Sequence, residues 1–151
     1  MVRIRRAEAR DARRLGRMVR SSRAYEGPYA SMVAGYRVGA DYIAAHRVFV
    51  AVEGDGSDEG RVLGFYALIV DPPELDLMFV ADHAQGAGIG RLLVEHMRAE
   101  ARRAGIESVR VVAHPPAEGF YRSIGAQRTG TEWARPPVVM WDRPELAIPV
   151  G

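Results

Sequence analysis

The 151-residue sequence contains no cysteine, no lysine and no apolar run long enough to span a bilayer. Without cysteine, disulfides, thiolate metal sites and a cysteine nucleophile are all excluded, so a covalent relay would have to use another residue. A chain of this length can bury a full core without such staples, and it is read as a single domain over residues 1–151. Because lysine is missing, all 21 basic residues are arginine, and an isoelectric point of about 9.3 overstates a formal net charge of only +2. So small an excess gives little support to a nucleic-acid partner, which would reward a concentrated basic surface. Low-complexity tracts are also lacking. With 48% hydrophobic and 26% charged residues, the composition is that of a soluble globular protein, expected in the cytoplasm and without a membrane partner.

Nine arginines fall between Arg3 and Arg23, a density that would suit a basic arm or an organellar presequence. Glu8 and Asp11 interrupt the run, however, and Leu15, Met18 and Val19 give it an apolar stripe at helical spacing. It therefore reads as a folded first helix with a solvated face, preceded by an edge strand at Val2 to Arg6. Gly27 and Pro28 then break the chain between Tyr25 and Tyr29, and a further helical pattern runs from Ser31 to Ala45.

Val48 to Glu53 and Arg61 to Val70 are β-rich runs joined by Gly54 to Gly60, as in an antiparallel hairpin, and Glu74 to Val80 resumes as another strand after Pro72 and Pro73. A helix from Leu92 to Ala104, closed by Gly105, is followed by a short buried strand at Ser108 to Ala113 and a helix at Ala117 to Ile124 opened by Pro115 and Pro116. Apolar groups around Val138 to Trp141 and Leu146 to Val150 are read as terminal strands. The order β-α-α-β-β-β-α-β-α-β-β predicts an α/β (α+β) fold, one mixed sheet flanked by helices.

Between the strand ending at Val80 and the helix beginning near Leu92, Gly86, Gly88 and Gly90 let the backbone approach an anion where unpaired N–H groups and the helix dipole favour one. Two phosphate loops are excluded: there is no Gly-Lys-Ser/Thr ending, and the spacing is G-x-G-x-G rather than G-x-G-x-x-G.

The string ELDLMFVADHAQGAGIG, Glu74 to Gly90, resembles the central motif of the GNAT superfamily of N-acetyltransferases, with Gln85, Gly88 and Gly90 at its Q/R-x-x-G-x-G/A positions. HPPAEGFYRSIGA, His114 to Ala126, resembles that family's second motif at Ala117, Phe120, Tyr121, Gly125 and Ala126. The resemblance implies acetyl-coenzyme A as acyl donor, a sheet splayed between its fourth and fifth strands, and often a homodimer. It implies pantetheine contacts at Met78, Phe79 and Val80, with the Val80 N–H as oxyanion donor. Pyrophosphate contacts would fall at Gln85, Gly86, Ala87, Gly88, Ile89, Gly90 and Arg91, and further cofactor contacts at His114, Phe120 and Tyr121. His114 stands where the family often has asparagine or aspartate, and Ala81 and Asp82 replace a frequent proline.

Acetyl transfer needs a neutral amine, donors for the oxyanion and a proton for the departing thiolate. Tyr121 matches the family's general-acid tyrosine, and a phenol can donate to a thiolate. Period two places Glu74, Asp76, Met78 and Val80 on one strand face, so that the two carboxylates can serve as base while Leu75, Leu77 and Phe79 face the core. Glu26, His83 or water are the other candidates for base. Tyr25, Glu26 and Tyr29 would wall the acceptor pocket, an acid beside two aromatics suiting a cationic amine. The acceptor is expected to be a small-molecule or peptide amine. No metal is expected, since His46, His83, His96 and His114 are scattered, and a Ser-His-Asp hydrolase lacks its G-x-S-x-G turn. The alternative reading is a non-catalytic acyl-CoA-binding sensor or interaction module on the same fold.

Overall fold

The computed structural model describes residues 1–22, 38–54 and 60–151. In chain order its strands and α-helices are β1 (Val2–Arg6), α1 (Ala12–Ser21), α2 (Ala40–Ala45), β2 (Arg47–Glu53), β3 (Arg61–Ile69), β4 (Glu74–Val80), α3 (Ile89–Arg103), β5 (Ser108–Val112), α4 (Glu118–Ser123), β6 (Gln127–Glu132) and β7 (Arg143–Pro149). The seven strands form one sheet in the order β1-β2-β3-β4-β5-β7-β6, antiparallel throughout except at β4–β5. This is the mixed sheet that the sequence pattern predicts.

Helices cover the sheet on both faces. On one, Leu93, Met97 and Ala101 of α3 pack on Tyr66, Leu68, Leu75, Val109, Val111, Leu146 and Ile148. On the other, Leu15 and Val19 of α1 and Ile43 of α2 pack on Val48, Val50, Phe65, Ala67 and Phe79. Strands buried on both faces read as near-continuous apolar runs, which is why β3 (RVLGFYALI) shows no clean alternation. The turn before α1 is held by Asp11, whose carboxylate accepts both Arg5 terminal nitrogens at 2.9 Å and the Glu8 N–H at 2.7 Å. α3 ends where Gly105 adopts φ +78°, with Arg102 and Arg103 in its last turn complementing the helix dipole.

β4 carries an extra residue opposite β3: Ala67 pairs with Leu77, whereas Leu68 pairs with Leu75, leaving Asp76 in a bulge. The bulge inverts the strand's phase. Leu75, Met78 and Val80 contact the α3-side core, while Leu77 and Phe79 contact the α1–α2 side. Strict period two, which put Met78 and Val80 on the face of the carboxylates and Leu77 and Phe79 with Leu75, is thereby corrected.

Two other expectations shift. Val138 to Trp141 is not a strand; an isolated bridge, Arg135 to Val139, lies there, and the partner of β7 is β6. The sequence of β6, QRTGTE, hides it, because an exposed edge strand needs no apolar alternation. The helix expected from Ser31 to Ala45 is described only from Val38 onward, where α2 begins at Ala40; residues 31–37 lie outside the described residues, as do 55–59 of the hairpin loop.

The parallel β4–β5 pair meets at one position, Glu74 with Arg110, supported by the Arg110 N–H to the Pro73 carbonyl at 3.2 Å. Beyond it, the two strands part.

Candidate active site

The parting of β4 from β5 opens a cleft of about 770 Å3 lined from both faces of the sheet. From the α3 side come Gln85, Gly86, Gly88, Ile89, Gly90, Arg91, Phe120 and Tyr121; from the other come Val19 and Ser22 at the end of α1, Glu74, Asp76 and Arg143. Met78, Phe79, Val80 and His114 also line it. Ala87, although in the same turn, is an exposed residue outside this lining.

Each glycine of the turn has a distinct reason. Gly86 and Gly88 adopt φ of +81° and +80°, which side-chain-bearing residues rarely do, and a Cβ there would meet nothing within 4 Å. A Cβ on Gly90 would come within 3.1 Å of the Phe120 ring, so this glycine admits α4 against the start of α3. Gly88 is the N-cap of α3 with no side-chain cap and no acidic residue in the first turn, which leaves the leading N–H groups free for an anion.

The edge of β4 is equally specific. The Ala81 N–H bonds the Leu63 carbonyl at 2.8 Å, and in an antiparallel ladder alternate residues point away from their partner. By that alternation the Met78 and Val80 amides point away from β3, toward the gap left by β5. Gln85 agrees with this, since its side-chain amide donates to the Val80 carbonyl at 3.0 Å.

Tyr121 is buried, 6% exposed, with its ring edge-on to Phe120 at 5.3 Å. The helix that carries it is entered through a short 3-10 turn, Pro115–Ala117, so the paired prolines start the segment without spending a hydrogen bond. His114, also buried, begins this turn.

The carboxylates expected as a pair are held apart by different partners. Asp76, exposed at the bulge, accepts the Tyr42 hydroxyl of α2 at 2.5 Å. Glu74 is bonded by Arg110 at 2.8 Å, and the same guanidinium reaches Glu132 at 3.3 Å and also bonds Glu145. Arg110 holds the Glu145 carboxyl below the usual carboxylate range, while Glu145 and then Glu74 raise the guanidinium above its own despite some burial. This charge cluster straps β4, β5, β7 and β6 together at the closed end of the cleft.

His83 lies in a groove beside α1 with Arg14, Arg17 and Asp82 rather than in the cleft. Tyr25, Glu26 and Tyr29 fall outside the described residues. Among the described residues no group of three or more His, Asp or Glu is placed to hold a metal ion, and no helix is long and apolar enough to cross a membrane. Tyr42 and Arg143 were not legible as site residues. Tyr42 stands in a helical pattern with nothing to tie it to β4. Arg143 opens β7 three residues before Leu146, where the apolar pattern of the last strand begins, so nothing in the sequence tied it to the cleft.

Residues 44–125, more than half of the chain, match the family model described as acetyltransferase (GNAT) domain. The chain belongs to the GNAT family of acetyltransferases. This GNAT protein is therefore an enzyme of acetyl transfer. Its fold is shared with a GCN5-related N-acetyltransferase from Rhodopseudomonas palustris, at TM-score 0.79 and 17% identity over 97% of this chain and 94% of that one. It is also similar to the ribosomal-protein-S18-alanine N-acetyltransferase from Escherichia coli, at 0.69 and 18% over 100% and 95%. N-acetylglutamate synthase from Neisseria gonorrhoeae, solved with coenzyme A and N-acetyl-glutamate, aligns at 0.72 and 16% over 100% of this chain and 35% of that chain. No curated protein matches the sequence significantly.

Proposed function

We propose that this GNAT protein is a single-domain, acetyl-CoA-dependent N-acetyltransferase that passes the acetyl group directly to a primary amine of a small molecule or peptide. The observation that carries this reading is the cleft through the sheet, which joins the glycine turn of α3 to Tyr121 on one side and Asp76 on the other. The residues present fit the coenzyme. Gly86 and Gly88 leave open space where a Cβ would stand, the first turn of α3 offers uncapped N–H groups, and Arg91 adds a positive charge beside them. Coenzyme A in the N. gonorrhoeae synthase structure is consistent with that fit.

When bound, acetyl-CoA supplies an acetyl thioester that an amine can attack without a covalent enzyme intermediate. The turn from Gln85 to Arg91 receives the pyrophosphate, and the Met78 and Val80 amides receive the pantetheine arm. The Val80 N–H, already turned into the gap, donates to the thioester oxygen as charge develops on it. Tyr121, buried beside Phe120, donates its phenolic proton to the departing sulfur. Asp76 takes a proton from the incoming ammonium, directly or through water, and the Tyr42 hydroxyl orients its carboxylate. Glu74 is committed to Arg110 and keeps the strands joined.

Incubation with acetyl-CoA and a broad panel of amines, with free thiol followed continuously, tests the reading. Acceptor-dependent thiol release is expected. Coenzyme binding with no release on any amine would overturn it in favour of a binding module.

A further inference from the structure

We propose that Arg143 recognises a carboxylate on the acceptor, so that the amine acetylated belongs to a molecule that also carries a carboxylate, in the simplest case an amino acid. The proposal rests on the acetyltransferase reading above and names the substrate class for that site.

In β7, Leu146 and Ile148 enter the α3-side core, so Arg143 and Glu145 point to the opposite face, where the cleft also meets Asp76. Two acids stand within reach of Arg143 along the strands. Glu132 is its register partner across β6, and Glu145 lies two residues on, along the same face. Neither pairs with it. Glu132 is bonded by Arg110 and, through its other oxygen, by Arg135 at 3.4 Å, while Glu145 is bonded by Arg110 and Thr129. The Arg143 Nε is buried without a hydrogen-bond partner, and Arg143 has no ion pair among the described residues.

A guanidinium stays charged and offers its donors in a planar fork matched to a carboxylate. The Nε is closed off from the cleft, but the half-buried side chain lines it, and a ligand carboxylate on the terminal nitrogens would give the guanidinium a partner that no described residue supplies. The coenzyme is not needed for this, since its phosphates have their own station at α3 on the other face. An acceptor with an ammonium at Asp76 and a carboxylate at Arg143 matches both charges of the cleft, whereas a simple alkylamine matches one.

The test compares paired acceptors: amino acids, their amides and the corresponding decarboxylated amines. For the wild type, kcat/KM is expected to favour the carboxylate-bearing member by at least about tenfold. Arg143→Ala should bring the pair to near parity, chiefly by raising KM for the carboxylate member, and Arg143→Lys should recover part of the preference. The KM for acetyl-CoA is the control for the coenzyme side. Wild-type use of both members alike, or a loss in Arg143→Ala that falls on acetyl-CoA, would overturn the proposal.

A second arm does not depend on turnover or on the variant's folding. The Nε–Hε resonance of Arg143 in the wild-type protein, titrated with N-acetylglycine, should shift saturably, and N-methylacetamide should leave it in place. No shift with N-acetylglycine would overturn the carboxylate site even in an active enzyme. A clear shift in a protein that acetylates no amine would sink the acetyltransferase proposal while leaving the carboxylate site standing.

Discussion

Tyr121 reaches the cleft from a buried position, and its hydroxyl is the part of the side chain that Phe cannot replace. Tyr121→Phe is expected to lower kcat by roughly 10²-fold or more, the span of a lost general acid, with the KM for acetyl-CoA nearly unchanged. Steady-state kinetics at saturating acceptor decide it; an unchanged kcat would reduce Tyr121 to packing. The glycines divide differently. Gly88→Ala keeps open space but forces φ +80° on a residue with a Cβ, a strain of about 1–2 kcal/mol that should fall on coenzyme affinity. Gly90→Val instead presses on Phe120 and should lower thermal stability with or without coenzyme. Measuring Kd for CoA by calorimetry alongside Tm separates the two. These roles were half legible in the sequence. The G-x-G-x-G string marked an anion-ready turn, but only the packing of Gly90 on Phe120 shows that its last glycine serves the contact between the two motifs rather than the turn itself.

At the scale of elements, the bulge in β4 and the Arg110 cluster decide which groups line the cleft. Arg110→Met removes the cation shared by Glu74, Glu132 and Glu145 and leaves three acids together where β4 last touches β5. A lower Tm at neutral pH is expected, with the deficit shrinking in acid. The sign follows from Glu145: its folded-state pKa is lowered by Arg110, so the contribution is present above the ordinary carboxylate range and is lost as pH falls through the lowered value. Thermal melts of both proteins from neutral pH into acid check this, and parallel curves would dismiss the cluster as a strap. Strand existence was readable from β-branched and aromatic runs, and β4 was placed over its full extent, Glu74–Val80. Its phase was not, because one inserted residue at Asp76 is invisible in a segment apolar on both sides of the sheet. β6 escaped for the opposite reason: its polar edge sequence carries no pattern to read.

The molecule as a whole buries a second polar pairing away from the cleft. The Tyr66 hydroxyl and His96 Nδ1 are 2.8 Å apart between β3 and α3, with Phe49 stacked on Tyr66 and Arg6 over the Phe49 ring. Burial, followed by the nearby Arg103, lowers the His96 pKa below its ordinary 6.5, and burial pushes the Tyr66 phenol up. The unfolded chain then binds a proton at His96 more readily than the folded one. Stability is fully present above about pH 6.5 and declines as pH falls from there to the lowered folded value, a window above that of the carboxylates. His96→Gln should flatten the melting temperature in that window, and a persistent decline would assign the loss elsewhere. No periodicity in the sequence pairs residues 66 and 96; the contact exists because α3 crosses the sheet over β3.

The single pairing between β4 and β5 gives the sheet an unfinished seam. On one side of it the Met78 and Val80 amides face a gap instead of a neighbouring strand. A bound pantetheine arm would act there as a borrowed strand, supplying acceptors that the chain itself does not encode. Amide hydrogen exchange at these two positions should therefore be fast in the free protein and slow in the coenzyme complex. Tight binding would then knit the two halves of the sheet into one cooperative unit, so that the enzyme completes its fold each time it is loaded.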